Sequence, residues 1–205
     1  MYKQLPSFVL GFHGCDRAVA ETILAGNPMS PSKNDYDWLG QGIFFWENSP
    51  DRALSYATSL MRYRKRGKGS VKDPYVIGAV INLGHCFNLT EEGALLELKR
   101  AYELLNMAAV AEQAPLPQNE PGFDGDPDLL KRHLDCAVFR YLHAARDELG
   151  YRPYQSIRSP FLEGRPVYPG TAFMEKTHVQ VCVRDPMLIK GYFRPLNPDG
   201  SVFQP

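Results

Sequence analysis

The sequence predicts an α+β domain, and three observations carry that reading. Short apolar, β-branched or aromatic segments sit toward both ends of the chain, at 8–12, 43–46, 75–83 and 177–183. Two long stretches with helical spacing fill the middle. Ser49-Pro50 follows directly on an aromatic strand and opens an amphipathic segment, since Ser is a preferred N-cap and Pro has its φ preset for the first helical position. Strands flanking a mostly helical middle fit an α+β domain with a helical insertion at about 88–150.

Composition bounds the function. With 44% hydrophobic and 22% charged residues, the 205-residue chain suits one core, so a single domain over 1–205 is expected. Lys and Arg number 23 and so do Asp and Glu, which leaves no global electrostatic case for nucleic acid or membrane. The four cysteines, Cys15, Cys86, Cys136 and Cys182, form no CxxC pair, and Cys136 and Cys182 lie in apolar patterns that predict buried thiols. The first residues lack the apolar run of a signal peptide and no stretch approaches 18 apolar residues. A soluble, cytoplasmic protein without disulfides or a membrane partner is expected. Nothing has zinc spacing.

The elements follow in order. Phe8 to Phe12 reads as a strand ending on His13-Gly14, and Asp16 is a plausible cap for a helix over 17–25, stopped by Gly26-Asn27-Pro28. A polar loop over 29–38 leads to Gly40-Gln41-Gly42, then the strand Ile43-Phe44-Phe45-Trp46, then a helix from Pro50 to about Tyr63. The basic run 62–69 is either a solvated helix end, where cations suit the macrodipole, or a phosphate or nucleic-acid contact. Tyr75 to Leu83 is apolar enough to be a central strand. Thr90 is expected to cap a helix over 91–113, and 128–149 forms a second. His133 and His143 on the second helix read as surface or packing residues. The proline-rich 114–127 and the arginine-bearing 151–170 read as loops. Thr177 to Val183 alternates as a half-buried strand should, and 187–193 reads as the last strand.

Each candidate site residue also has a plain structural reading. His13 could be a satisfied strand-end histidine, Gly40 and Gly42 could serve a turn, and Tyr56 could be helix packing. At least one of Phe44, Phe45 and Trp46 belongs to the core on period-2 grounds. His178 alternates with Gln180, so both share a face.

Taken together, His13-Gly14 at a strand end, Gly40-x-Gly42-Ile43-Phe44-Phe45 and Ala53-x-x-Tyr56 resemble the ADP-ribosyltransferase fold, in its diphtheria-toxin and poly(ADP-ribose) polymerase branch. The resemblance covers about 1–83 and 172–193 and leaves the insertion unexplained. It implies a split β-sheet core that binds NAD as co-substrate. His13 matches the histidine that bonds the adenosine ribose, and Gly14 the glycine whose backbone holds the nicotinamide amide. Cys15 stands where the family has Ser or Thr. Tyr56 matches the tyrosine that stacks on nicotinamide, Phe44 the opposite aromatic wall, and Gly42 lies in the matched glycine turn. Gln180 falls at the position of the family's catalytic glutamate and keeps its hydrogen bond without its charge. Glu175 or Glu47 would then supply the carboxylate, with Glu175 preferred as acid or base. Arg158 or Arg165 would neutralise pyrophosphate.

The implied activity is mono-ADP-ribosyl transfer to a macromolecule. The basic 62–68 run favours a nucleic-acid acceptor over a protein. Family habit suggests a toxin or defence effector, with an antitoxin or regulatory partner. Two other readings stay open. One is a catalytically silent NAD- or ADP-ribose-binding module. The other is an RNA 2′-phosphotransferase relative, which would use Arg152, Arg158 and Arg165.

Overall fold

A computed structural model of the chain describes residues 8–63, 70–122 and 128–203. Most of the basic run, residues 64–69, and the end of the proline-rich loop, 123–127, lie outside the described residues. Among the described residues, nine strands and four α-helices follow in the order β1 (Val9–Asp16), α1 (Arg17–Leu24), β2 (Ile43–Glu47), α2 (Pro50–Tyr63), β3 (Pro74–Ile81), β4 (Cys86–Asn88), α3 (Glu92–Ala111), β5 (Asn119–Glu120), β6 (Lys131–Arg132), α4 (His133–Glu148), β7 (Ser156–Phe161), β8 (His178–Val183) and β9 (Ile189–Phe193). Seven of the strands form one mixed sheet in the order β4-β7-β8-β2-β1-β3-β9, and β5 and β6 form a small separate hairpin. Among the described residues no helix is long and apolar enough to cross a membrane.

Alternation along the central strands separates two apolar layers. Ile43 and Phe45 of β2 face the same side as Val181 and Val183 of β8, where they pack with Ala79, Ile81 and Leu83. Phe44 and Cys182 point the other way, into a layer built from Phe87, Ile157 and the α4 residues Val138, Phe139 and Leu142. Each fully buried side chain of this size contributes about 1.5–3 kcal/mol. The segment between β4 and β7 therefore covers one face of the sheet. Its two helices supply the long crossover that the parallel β4–β7 pair requires.

Local chemistry sets the helix starts. Asp16 caps α1 by accepting from the Ala18 N–H at 3.0 Å. Asn48 takes a left-handed φ of 52° between β2 and α2, which Asn tolerates better than most residues. The Ser49 carbonyl accepts from the Ala53 N–H at 3.3 Å. Thr90 does not cap α3 as expected. Glu91 holds the cap position, and the Thr90 hydroxyl donates instead to Asn88 Oδ1 at 3.0 Å.

A second correction concerns 151–170, which is not all loop. Ser156–Phe161 is an internal strand, paired with β4 on one side and β8 on the other. Pro160 argues against a strand by sequence. It lies beyond the last β4 partner, Arg158, where the ladder on that side has stopped, so its missing N–H breaks no pairing.

Candidate functional site

The site begins where two central strands part. β1 pairs with β3 along its full length, but with β2 only at Gly11↔Glu47 and Phe12↔Trp46. The Asn48 N–H bonds to the Leu10 carbonyl at 2.9 Å, so the next hydrogen-bonded positions in this register would be Phe12/Trp46 and Gly14/Phe44. The Gly14↔Phe44 pair does not form in the ladder. His13 Nδ1 lies 2.7 Å from the Phe44 carbonyl oxygen instead. A carbonyl can only accept, so Nδ1 carries the proton and Nε2 is left with its lone pair. Burial holds His13 below the usual imidazole range, partly offset by this hydrogen bond. The ring is neutral at pH 7.

The parted strands open a cavity of about 1310 Å³ that extends from α1 to α2. Four elements bring sequence-predicted residues to it: His13 from β1, Gly42 and Phe44 from the turn and strand β2, Tyr56 from α2, and Gln180 from β8. Gln180 is cross-strand to Trp46, with its side chain on the same face of the sheet. Tyr56 packs its ring on Trp46, at 5.0 Å and 45°. Tyr56 is 41% exposed and its side chain lines the cavity.

Other predicted residues lie elsewhere. The Cys15 side chain packs with Ala20, Ile23, Tyr75 and Ile77, and burial pushes its thiol up to about 12. Gly14 is kept small by α2, because a Cβ there would sit 2.0 Å from the Ala53 carbonyl oxygen. Its N–H and C=O face the β2 side by strand alternation. Arg158 makes a two-pronged ion pair with Glu47, Nε to Oε2 at 2.6 Å and Nη2 to Oε1 at 3.0 Å. That pair occupies both side chains, and neither lines the cavity. Arg165 and Glu175 face each other across an exposed hairpin, where the Glu175 N–H donates to the Arg165 carbonyl at 2.9 Å. Neither of them reaches the cavity wall. Arg152 lines a different, smaller cavity of about 550 Å³.

Three carboxylates line the cavity, Asp37, Asp51 and Glu163, and the most buried of them, Glu163, is one that sequence reasoning missed. It is only 2% exposed. The 163–176 hairpin closes on itself through Lys176 N–H to Glu163 carbonyl at 3.0 Å, which sets Glu163 beside the start of β8. Its Oε2 accepts from Arg52 Nη2 at 2.9 Å and lies 3.6 Å from His178 Nδ1, while Oε1 has no partner. Burial raises the Glu163 carboxyl above its ordinary value, against the opposing pull of Arg52. His178 donates from Nδ1 to the Lys176 carbonyl at 2.7 Å, and burial lowers its pKa to about 4. Buried atoms without partners gather around this corner: Trp46 Nε1, Arg52 Nε, Glu163 Oε1, His178 Nε2 and Gln180 Oε1. Such a concentration of unspent hydrogen-bonding capacity is costly in an apolar core and suits a wall that meets a polar ligand. Among the described residues, no group of three or more His, Cys, Asp or Glu side chains is gathered to hold a metal ion.

The chain is 25% identical over 202 aligned positions to the "Uncharacterized protein MJ0359" of Methanocaldococcus jannaschii, covering 87% of this chain and 83% of that one. No family model matches the chain, and no solved structure matches it significantly.

Proposed function

We propose that this protein is an NAD-dependent mono-ADP-ribosyltransferase with an ADP-ribosyltransferase-like core. The observation that carries the reading is the convergence of His13, Phe44, Tyr56 and Gln180, four residues from four elements, on one cavity at a parted strand pair. Its volume of about 1310 Å³ exceeds the roughly 300–1,000 Å³ common for small-ligand sites, which leaves room for a dinucleotide and part of an acceptor.

The residues present suit the donor. A neutral His13 with a free Nε2 lone pair can accept from a ribose hydroxyl. The Gly14 backbone groups, turned toward the parted edge, can hold the two ends of a carboxamide. Tyr56 and Trp46 offer aromatic surface to a planar ring. Gln180, with a buried and unpartnered Oε1, can orient the adjoining ribose. The exposed cations Arg62, Lys131 and Lys176 in the cavity lining favour a polyanionic acceptor such as nucleic acid.

The test is transfer of label from adenine-labelled NAD to separated RNA, DNA and protein fractions. Label is expected in the nucleic-acid fraction, dependent on His13. A second reading, a silent NAD-binding module, is favoured by the charge missing at Gln180. NAD binding without transfer to any fraction would select it. The 2′-phosphotransferase reading loses its support, since Arg152, Arg158 and Arg165 all lie off this cavity.

A further inference from the structure

We infer that Glu163 is the carboxylate that serves the transfer reaction in this cavity, so that the two tasks of one family glutamate are divided here between Gln180 and Glu163. The inference rests on the transferase reading. It assigns a role to a residue that the resemblance does not point to, on a different segment of the chain from the expected one.

The argument begins with what else could supply the charge. Glu175 is exposed on the hairpin, and Glu47 is held by Arg158. Asp37 lines the cavity but is spent in a turn, accepting from the Ser32 hydroxyl at 3.0 Å and the Asn34 N–H at 2.9 Å, and Asp51, also in the lining, is exposed on the first turn of α2. Glu163 alone among these combines a place in the wall, near-complete burial and an oxygen with nothing bonded to it. It also lies on the Gln180 side of the site. His178, 3.6 Å from Glu163 Oε2, is two residues before Gln180 on the same face of β8.

The neighbours explain how the carboxylate is held. Arg52 of α2 fixes Oε2 and leaves Oε1 as the reactive oxygen. His178 is neutral, so it adds no competing charge. The other charged groups acting on Glu163 are Asp128, which accepts from the Gly164 N–H at 3.0 Å and pairs with Lys176 at 3.6 Å, and Arg132 of β6. A buried carboxyl whose proton affinity is raised above the usual value is better matched to proton transfer near neutral pH than an exposed one.

The step balances as follows. The bond between ribose C1′ and the nicotinamide nitrogen breaks, and its electron pair leaves on nicotinamide, which becomes neutral. A hydroxyl or amine of the acceptor forms the new bond to C1′. Its proton passes to Glu163 Oε1 and then to solvent. Gln180 keeps the ribose oriented while this happens.

The experiment compares wild type with Glu163→Gln and Glu175→Gln. It measures NAD dissociation constant, nicotinamide release with the competent acceptor fraction, the pH profile of release and the thermal midpoint. Glu163→Gln is expected to bind NAD within about threefold of wild type yet release nicotinamide about 100-fold more slowly, the scale of a lost general base. The acidic limb of the wild-type profile should vanish with it. Glu163→Asp keeps the charge and should retain that limb at reduced rate, which covers the case in which Glu163→Gln fails to fold. Release by Glu163→Gln near the wild-type rate overturns the inference while the transferase reading stands. So does loss of NAD binding in step with release, which would make Glu163 a binding residue only. Wild type that neither binds nor cleaves NAD overturns the transferase reading itself.

Discussion

His13 Nδ1 donates to the Phe44 carbonyl across 2.7 Å, at the place where a continued β1–β2 ladder would have bonded that carbonyl to the Gly14 amide. A side chain thus takes over a backbone pairing and lets the strands part without stranding a buried carbonyl. Removing the ring by His13→Ala leaves the carbonyl without its donor and removes the Nε2 acceptor. NAD affinity should fall about tenfold, the worth of a hydrogen bond of roughly 1–1.5 kcal/mol. Calorimetric titration checks this, and unchanged affinity would place NAD elsewhere.

Gly14 is fixed by sterics rather than by turn geometry. A Cβ there would come 2.0 Å from the Ala53 carbonyl oxygen and 3.2 Å from the Ala57 Cβ, both on α2. Backbone cannot yield as a flexible side chain does. Gly14→Ala should cost about 3 kcal/mol in urea unfolding. Because α2 also carries Arg52 and Tyr56, nicotinamide release should drop by more than the unfolded fraction explains.

The Arg52–Glu163 pair ties α2 to the hairpin between β7 and β8. Arg52→Met strands a buried carboxylate and should destabilise the fold by about 3 kcal/mol. The double variant Arg52→Met with Glu163→Met should recover most of that loss, since neither charge is then buried alone. Denaturant midpoints of the four proteins form the cycle. A double variant as unstable as the single one would mean that the pair is not the source of the cost.

Acid should loosen the fold through three histidines whose pKa burial lowers, His13 among them. Burial depresses His143 to about 3 and His178 to about 4, whereas an unfolded histidine titrates near 6.5. Below that value the unfolded state binds more protons, so each histidine contributes stability above about pH 6.5 that is lost as pH falls toward its folded value. The slope is about 1.4 kcal/mol per pH unit for each. Glu163, raised by burial, acts in the opposite sense: its contribution is present below the unfolded carboxylate range and fades as pH rises through its folded value. Unfolding curves from about pH 7.5 to about pH 4.5 should show the histidine slope, and His143→Asn should remove one histidine's share of it.

Tyr56 and Trp46 make a built-in reporter. Their rings lie 5.0 Å apart in the cavity wall, so a planar ring bound against them should quench tryptophan emission. The quench should disappear in Trp46→Phe. Tyr56→Ala, at an exposed position, should fold normally and weaken NAD binding about fivefold, the value of one aromatic contact of about 1 kcal/mol. A full-strength quench in Trp46→Phe would assign the signal to Trp38.

Much of this was legible in the chain itself. The Ser49-Pro50 helix start and the apolar run of β3 announce themselves through local chemistry, and the motif residues His13, Phe44, Tyr56 and Gln180 do meet at one cavity. β8 is a strand as expected but not a half-buried one: it lies between β7 and β2, and its polar His178 and Gln180 are buried as well as its apolar face. β7 was hidden because Arg158, Ser159 and Pro160 spoil its pattern. Arg158 is neutralised by Glu47, 111 positions away, which no window along the chain can see. Glu163 was missed for the same reason, as its burial and its Arg52 partner are products of hairpin closure. Glu175 looked the better carboxylate only because it lies closer to β8 in sequence.

Nicotinamide release from NAD by the purified protein, with and without nucleic acid, tests the central claim most directly. The account predicts release that requires nucleic acid and is lost in His13→Ala, with the adenine label carried onto the acceptor. NAD that remains intact in every mixture, with no binding detected by calorimetry or Trp46 emission, would contradict it.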